Sequence, residues 1–408
     1  MNCRHCGSRL DHTFLDLGFA PPSNSYLSKD DLSQPETYYP LVIMVCDQCW
    51  LVQTKDYAAA DQLFTSDYAY FSSTSSTMLL HASDYSKMIT DKLSLNIDSY
   101  VIEIASNDGY LLKNFVDAGI PCLGIEPTNS TAKAAEKLNI PVLREFFSES
   151  LADYLANEGR QADLIVGNNV FAHVPDINDF TKGLKKALKH GGMITLEFPH
   201  LMRLINDTQF DTVYHEHFSY LSLHAANQIF SSHGLRIFDV EELPIHGGSL
   251  RIYGCHENDL RKTKKNVKIL MMEEIKHGLL EIQTYLNFQL RADTIKNNFL
   301  KFLIEKKLQK KIVLGYGAAA KGNTLINYAG IKPDLLSFIC DYAPSKQGKF
   351  MPGSHIPIIS KETFFQNKPD YVVILPWNIS SEIYAEIKDL KKIGTRFFIA
   401  SPSIRELK

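Results

Sequence analysis

The chain has 408 residues, a formal net charge of −3, 45% hydrophobic residues and 22% charged residues. That length supports two or three domains, each with its own core, and the charge gives no reason to expect nucleic acid or an anionic membrane as partner. No run approaches the roughly 20 apolar residues of a membrane-spanning helix, and Met1-Asn2-Cys3-Arg4-His5-Cys6 carries no signal-peptide core, so a soluble, cytoplasmic protein is expected.

The first element in chain order is a pair of cysteine knuckles. Of the seven cysteines, Cys3 and Cys6 form one Cys-x-x-Cys pair, and Cys46 and Cys49 form another. Four thiolates close the tetrahedral shell of a zinc ion and leave no open position, so the expected role is structural. A redox pair or unpaired thiols are the competing readings. The stretch between the pairs exceeds the usual spacing of roughly 15–20 residues and must therefore leave the metal site and return. Around the pairs there is no basic patch to suggest DNA binding. The lobe is placed at residues 1–74 and ends in the aromatic and hydroxyl-rich Phe64–Ser73, which includes Tyr68 and reads as a lid or a domain contact. A helix is predicted from about residue 75 to 97.

Residues 75–257 carry repeated strand–loop–helix patterns, which predict a mostly parallel, doubly wound α/β sheet. Tyr100–Ile104 reads as a strand ending in the loop Ala105–Gly109; Cys122–Ile125 reads as the next strand and ends on Glu126. Ala162–Asn169 and Gly191–Glu197 supply two more strands. Ligands of such sheets bind at the carboxyl edge of the strands. A dinucleotide needs Gly-x-Gly-x-x-Gly to approach its pyrophosphate, and this first loop has only Gly109. S-adenosylmethionine has no phosphate to cradle and is the favoured ligand. Glu103, Ser106, Asn107, Gly109, Glu126, Asn168 and Asn169 are its candidate contacts, with Glu126 placed for the ribose. A purely structural domain remains the bland alternative.

The strand at Leu196–His200 feeds Tyr214-His215-Glu216-His217-Phe218-Ser219-Tyr220, which gathers a phenol, two imidazoles and a carboxylate. Imidazole is the side chain best matched to moving protons near neutral pH. A hydrogen-bonded surface loop is the competing reading. The zinc-protease pattern needs two histidines one helical turn apart, whereas only Glu216 separates His215 from His217. General acid–base chemistry is therefore expected ahead of metal catalysis.

From 258 to 310 the chain is rich in lysine and glutamate, with Leu279, Ile282 and Leu286 at helical spacing, and reads as one or two amphipathic helices bridging domains. Residues 311–408 begin a second α/β domain. Gly315-x-Gly317-x-x-Ala320 fits a dinucleotide fingerprint, and Asp341 follows the next strand. Lys321 at the helix start suits a phosphate equally well. Read alone, this domain allows an NAD-dependent oxidoreductase.

Four stretches together resemble the nucleotide-sugar C-methyltransferases: Glu103–Gly109, Phe171-Ala172-His173-Val174, Phe210–Tyr220 and His246-Gly247-Gly248-Ser249-Leu250-Arg251. The likeness runs over essentially the whole chain, the cysteine pairs included, which in that family hold zinc. It implies a Rossmann-like S-adenosylmethionine domain between a small zinc lobe and a second Rossmann-like domain. It also implies methylation at C3 of a 4-keto-6-deoxy sugar linked to TDP or GDP. By the family pattern His217 is the base, with Tyr214, Glu216 and Tyr68 holding and polarising the sugar. His173 is a candidate substrate contact, with a packed histidine as its competitor. The C-terminal domain would hold the nucleotide portion, with Lys321, Asn323, Asp341, His355 and Trp377 as candidates. A monomer or a homodimer fits this reading, as does a catalytically silent sugar-nucleotide binder.

Overall fold

The computed structural model describes residues 1–55 and 71–407. Tyr68 and the neighbouring aromatic residues up to Tyr70 lie outside the described residues.

The N-terminal lobe is built on β1 (His12–Ala20), β2 (Tyr39–Val45) and β3 (Val52–Thr54), paired antiparallel in that order. In β2 the period-two alternation turns Leu41, Ile43 and Val45 inward. A register shift between Thr13 and Leu15 lets β1 bury the consecutive Phe14 and Leu15. This hairpin is the excursion that the long spacing between the cysteine pairs requires.

The helix Ser76–Leu93 follows, its Ser75 N-cap accepting from the Met78 amide. The central strands are β4 (Val101–Ile104), β5 (Cys122–Ile125), β6 (Val142–Leu143), β7 (Ala162–Asn168) and β8 (Leu188–Pro199). After the short β9 (Ser219–Tyr220) come β10 (Leu235–Leu243) and β11 (Ser249–His256). The sheet order is β10-β11-β8-β7-β4-β5-β6, parallel from β8 to β6. β11 is antiparallel to both its neighbours. Strands β4 and β5 are buried at every position, as parallel strands covered by helices on both faces must be. Successive crossovers leave β4 in opposite directions, so a crevice opens at the carboxyl ends of β4 and β7.

β9 does not join that sheet. It pairs with β3, Val52 opposite Tyr220 and Gln53 opposite Ser219, and completes the N-terminal sheet. The stretch richest in acid–base groups is thus woven into the lobe that carries the cysteines.

The connector forms the helices Lys265–Lys276, Ile282–Leu286 and Phe288–Leu308. Leu279 is buried in the turn between the first two, whereas Leu286 is exposed. The buried Glu274 accepts from the Leu223 and His224 amides (2.6 and 2.9 Å) at the start of the helix Leu223–Ser232 and pairs with His200 Nε2 at 2.7 Å. A carboxylate is stabilising at that end of a helix.

The C-terminal sheet contains β12 (Val313–Tyr316), β13 (Ile339–Cys340), β14 (Ile358–Ile359), β15 (Tyr371–Ile374), β16 (Arg396–Ile399) and β17 (Arg405–Leu407). Its order is β14-β13-β12-β15-β16-β17, with only β17 antiparallel. One hydrophobic core runs from the hairpin of the first lobe through the connector into this domain: Phe14 stacks on Phe288 at 4.6 Å and Trp50 on Tyr285 at 6.0 Å. Among the described residues, no helix is long and apolar enough to cross a membrane.

Candidate active site

At the N-terminus the four Sγ atoms of Cys3, Cys6, Cys46 and Cys49 lie within 4.8 Å of one another. Cys3 and Cys49 approach to 3.5 Å, as do Cys6 and Cys46. Zn–S bonds of about 2.3 Å set tetrahedral S···S separations of roughly 3.8 Å, so the cluster fits a zinc ion. The knuckles are built by backbone bonds from Gly7 N to Cys3 O and from Trp50 N to Cys46 O, both 3.0 Å. None of the seven cysteines is joined in a disulfide.

This cluster is tied to the acid–base stretch by short steps. Gln53 Nε2 donates to Cys3 Sγ at 3.2 Å, and the Arg4 amide donates to Gln53 Oε1 at 3.0 Å. The Arg4 guanidinium bonds Thr54 O at 3.0 Å and Pro175 O at 2.6 Å, just past His173. Thr54 in turn donates its hydroxyl to His217 O and its amide to Phe218 O.

Within the stretch His217 is buried. Its Nδ1 lies 3.1 Å from Thr212 O. A carbonyl can only accept, so Nδ1 carries the proton and Nε2 keeps a free lone pair. Burial, with smaller contributions from the neighbouring His173, His246 and Lys321, drives its pKa well below the ordinary imidazole value and keeps the ring neutral. Tyr214 packs on that ring at 4.1 Å and His173 meets it edge-on at 4.6 Å. His173 Nδ1 donates to Glu216 O at 2.8 Å, and burial lowers its pKa to about 4. The Glu216 carboxyl, pushed up to about 7 by burial, accepts from Asn24 Nδ2 at 2.8 Å. His215 turns away from this group and bonds Tyr39 O at 3.3 Å.

At the crevice edge of the central sheet, five buried polar atoms lack a partner among the described residues: Glu103 Oε2, Ser106 Oγ, Asp108 Oδ1 and both amide atoms of Asn168. Buried polar groups of native proteins are nearly always matched, and a ligand bearing amine and hydroxyl groups would match these. The residues fit S-adenosylmethionine. Gly109 has φ +78°, and a Cβ there would lie 2.4 Å from Ile140 Cδ1, so only glycine closes the loop. The loop is also held from outside: Ser72 N donates to Asn107 Oδ1 at 3.0 Å and Ser73 N to Asp108 Oδ2 at 3.1 Å. Glu126 accepts from the amides of Asn107 and Thr128, both 2.9 Å, so this ribose candidate also braces the loop. Asn169, at φ 54°, reaches His246 Nε2 at 3.5 Å; His246 is itself at φ 55°.

The C-terminal domain brings Lys321 and Trp377 to the same cleft. Lys321 Nζ donates to Asn378 Oδ1 at 2.6 Å and sits 4.7 Å from the Trp377 ring centre. Trp377 Nε1 donates to Asp211 Oδ2 at 2.7 Å. Asn323 is fully buried, with Nδ2 unpartnered among the described residues. Asp341, the ribose candidate of this domain, accepts from Ala318 N at 2.7 Å and Ala343 N at 2.9 Å. His355 lies with Glu36 of the N-terminal lobe at 2.9 Å. Sequence reading overlooked Asn24, Thr54, Asp211 and His246. Asp211 and His246 stand inside the motifs that carried the family resemblance, whereas Asn24 and Thr54 have no local signal.

Three family models match the chain: "Putative zinc binding domain" over residues 3–64, "Methyltransferase domain" over 81–240 and "C-methyltransferase C-terminal domain" over 244–402. Solved structures similar to part of the chain include an S-adenosylmethionine-dependent methyltransferase from Clostridium acetobutylicum, at 11% identity and a TM-score of 0.34, covering 42% of this chain and 89% of that one. An uncharacterized methyltransferase of Mycobacterium leprae is 27% identical over 99 residues, 24% of this chain and 36% of its own. C-methyltransferase NovU of Streptomyces niveus is 32% identical over 403 residues, 99% of this chain and 96% of its own. A likeness of that extent, reaching from the cysteine cluster to the last sheet, places this chain among the S-adenosylmethionine-dependent C-methyltransferases.

Proposed function

We propose that this C-methyltransferase methylates C3 of a 4-keto-6-deoxy sugar carried on a nucleoside diphosphate, TDP or GDP, in the making of branched deoxysugars. In this reading residues 1–74 form the zinc lobe, 75–257 the methyltransferase domain, 258–310 the connector and 311–408 the nucleotide-sugar domain.

The observation that carries the reading is the state of His217: buried, neutral, its Nδ1–H committed to Thr212 O and its Nε2 lone pair free. A 4-keto group acidifies the neighbouring C3–H. His217 Nε2 takes that proton, and the C–H electron pair becomes the C3–C4 double bond of an enediolate whose charge rests on the C4 oxygen. Bound S-adenosylmethionine supplies an electrophilic methyl group. C3 would take that methyl, the new C–C bond forming as the methyl–sulfur bond breaks and leaves its electron pair on sulfur; the C4 carbonyl would re-form, and the His217 imidazolium would return its proton to solvent. Holding the two carbons in line is what the protein must add to the transfer itself.

The Tyr214 phenol and the Glu216 carboxyl stand beside the base to hold the sugar, and Tyr68 belongs to the same proposal. Glu103, Ser106, Asn107, Gly109, Asn168 and Asn169 are proposed to hold the cofactor, with Glu126 at its ribose. His173, Lys321, Asn323 and Trp377 are proposed on the sugar-nucleotide side. NAD chemistry at the Gly315–Ala320 loop draws little support, because the Gly317, Ala318 and Ala319 amides all donate within the protein, whereas a dinucleotide loop aims its amides at phosphate.

The test is deuterium exchange at C3 of TDP- and GDP-linked 4-keto-6-deoxy sugars with S-adenosylhomocysteine present. The wild type should exchange with one of them. In His217→Ala the exchange should fall by about 10²–10⁴-fold, with S-adenosylmethionine affinity near wild type. Loss of cofactor binding in that variant would remove His217 from the role of base.

A further inference from the structure

Lys321 is the second residue of the helix Ala320–Tyr328, where the helix dipole already presents positive charge. A cation is electrostatically misplaced there, and this one is half-buried. Its Nζ bonds a neutral amide oxygen, Asn378 Oδ1, at 2.6 Å, and packs on the face of Trp377. The nearby Asp211 carboxylate is held by the Trp377 indole N–H at 2.7 Å. Burial pulls the Lys321 pKa down to about 8, against a smaller upward pull from Asp211. Such an arrangement calls for an anion that the protein itself does not supply.

Diphosphate is the obvious candidate for that anion, and the adjoining loop is badly prepared for it. Gly317 N donates to Cys340 O at 2.7 Å, Ala318 N to Asp341 Oδ2 at 2.7 Å and Ala319 N to Gly317 O at 2.9 Å. A Cβ on Gly317 would meet Pro376 Cδ at 2.4 Å, so the loop is packed against protein rather than open to a ligand.

The same helix face points at the catalytic stretch. Thr324, one turn after Lys321, donates to Val213 O at 2.8 Å, next to Tyr214. Trp377 closes on the segment bearing His246: a Cβ on Gly247 would lie 2.5 Å from Trp377 Cη2. Lys321 is close enough to lower the pKa of both His217 and His246. The ammonium therefore lies on the rim of the space facing the base.

We infer that Lys321 is a further catalytic residue, its ammonium set by Asn378 and Trp377 against the C4 oxygen, where it stabilises the oxyanion formed as His217 removes the C3 proton. This rests on the sugar reading given above. When the C3–H pair moves into the C3–C4 bond, the carbonyl π pair moves onto the C4 oxygen; the lysine keeps its proton and donates a hydrogen bond. Methyl transfer returns that pair to the carbonyl. A fixed cation in a dry site does most where charge develops.

The experiment uses the 408-residue, zinc-loaded chain and Lys321→Met, with Lys321→Gln as a second variant should the first fold poorly. Exchange at C3 is measured at saturating sugar nucleotide with S-adenosylhomocysteine present, and binding of TDP or GDP alone is measured by calorimetry. Exchange should drop by about 10²–10³-fold while nucleoside diphosphate affinity stays at the wild-type value. Unchanged exchange in both variants overturns the inference, and so does a loss confined to nucleoside diphosphate binding, which would make Lys321 a phosphate ligand. A wild type that exchanges with neither sugar overturns the sugar reading and this inference with it; exchange in the wild type that is preserved in the variants overturns the inference alone.

Discussion

Glu216 is the residue whose chemistry depends most on its surroundings. Its carboxyl is buried beside an amide donor, Asn24, and is held near 7 rather than at the ordinary 4.5. Between those values the unfolded chain is ionised while the folded chain keeps its proton, so unfolding releases a proton. Stability from this group is complete below about pH 4.5 and is lost as pH rises through 7, by about 3 kcal/mol at most. Glu216→Gln removes the titration. Its urea midpoint relative to wild type should rise between pH 5 and pH 8; a difference that does not move with pH would show that the carboxyl is solvated. His173 and His246, both lowered to about 4 by burial, act in the opposite sense: their contribution is present above 6.5 and lost as pH falls toward 4. The density of acid–base groups in residues 214–220 was legible in the chain. That His217 faces the cleft while His215 faces Tyr39 was not, because the turn from Tyr214 into β9 is set by its partners.

At the scale of elements, β9 belongs to two parts of the molecule at once. Its backbone pairs with β3, and the Thr54 hydroxyl and amide bracket His217 and Phe218. The cysteine cluster supports β3 through Gln53 and Arg4. A structural zinc in such a lobe contributes directly to folding. Cys46→Ala should release zinc, and hydrogen exchange should then speed up in residues 39–54 and also in 214–220, while β12 and β15 keep their protection. Unchanged exchange at 214–220 would mean that the acid–base stretch holds itself. The two Cys-x-x-Cys pairs announced the metal site by spacing alone. Nothing local announced that Val52 and Gln53 would pair with Tyr220 and Ser219, because a two-residue strand carries no periodicity of its own.

Across the whole molecule the lobes are joined by shared core rather than by linkers. Phe288 is fully buried and stacked on Phe14, within a cluster that also holds Leu204, Phe210 and Val213 beside the acid–base stretch. Phe288→Ala should cost about 3–5 kcal/mol. The chain has two tryptophans: Trp50 packs against this cluster and stacks on Tyr285, whereas Trp377 packs against a second cluster in the C-terminal domain and bonds Asp211, so they report on two different cores. Thermal unfolding followed in single-tryptophan variants should show both moving to lower temperature together in Phe288→Ala. Separate transitions would mean that the lobes fold as independent units.

The chain by itself determined what short-range chemistry can determine. Apolar strand runs and their polar ends specified two α/β domains, cysteine spacing specified the metal site, and the four motifs specified the family. Tertiary structure decided which of those groups meet. Asn24, Thr54, Asp211, His246 and Lys321 come from three separate parts of the chain, and each is hydrogen-bonded to a residue tens to hundreds of positions away. Glu126 and Asp341 make the same point: both stand where a ribose carboxylate is expected, and both have oxygens accepting amides of the adjoining loops. Hydrogen-bond partners and burial belong to the folded whole, and they set both the protonation of these groups and the direction in which each one acts.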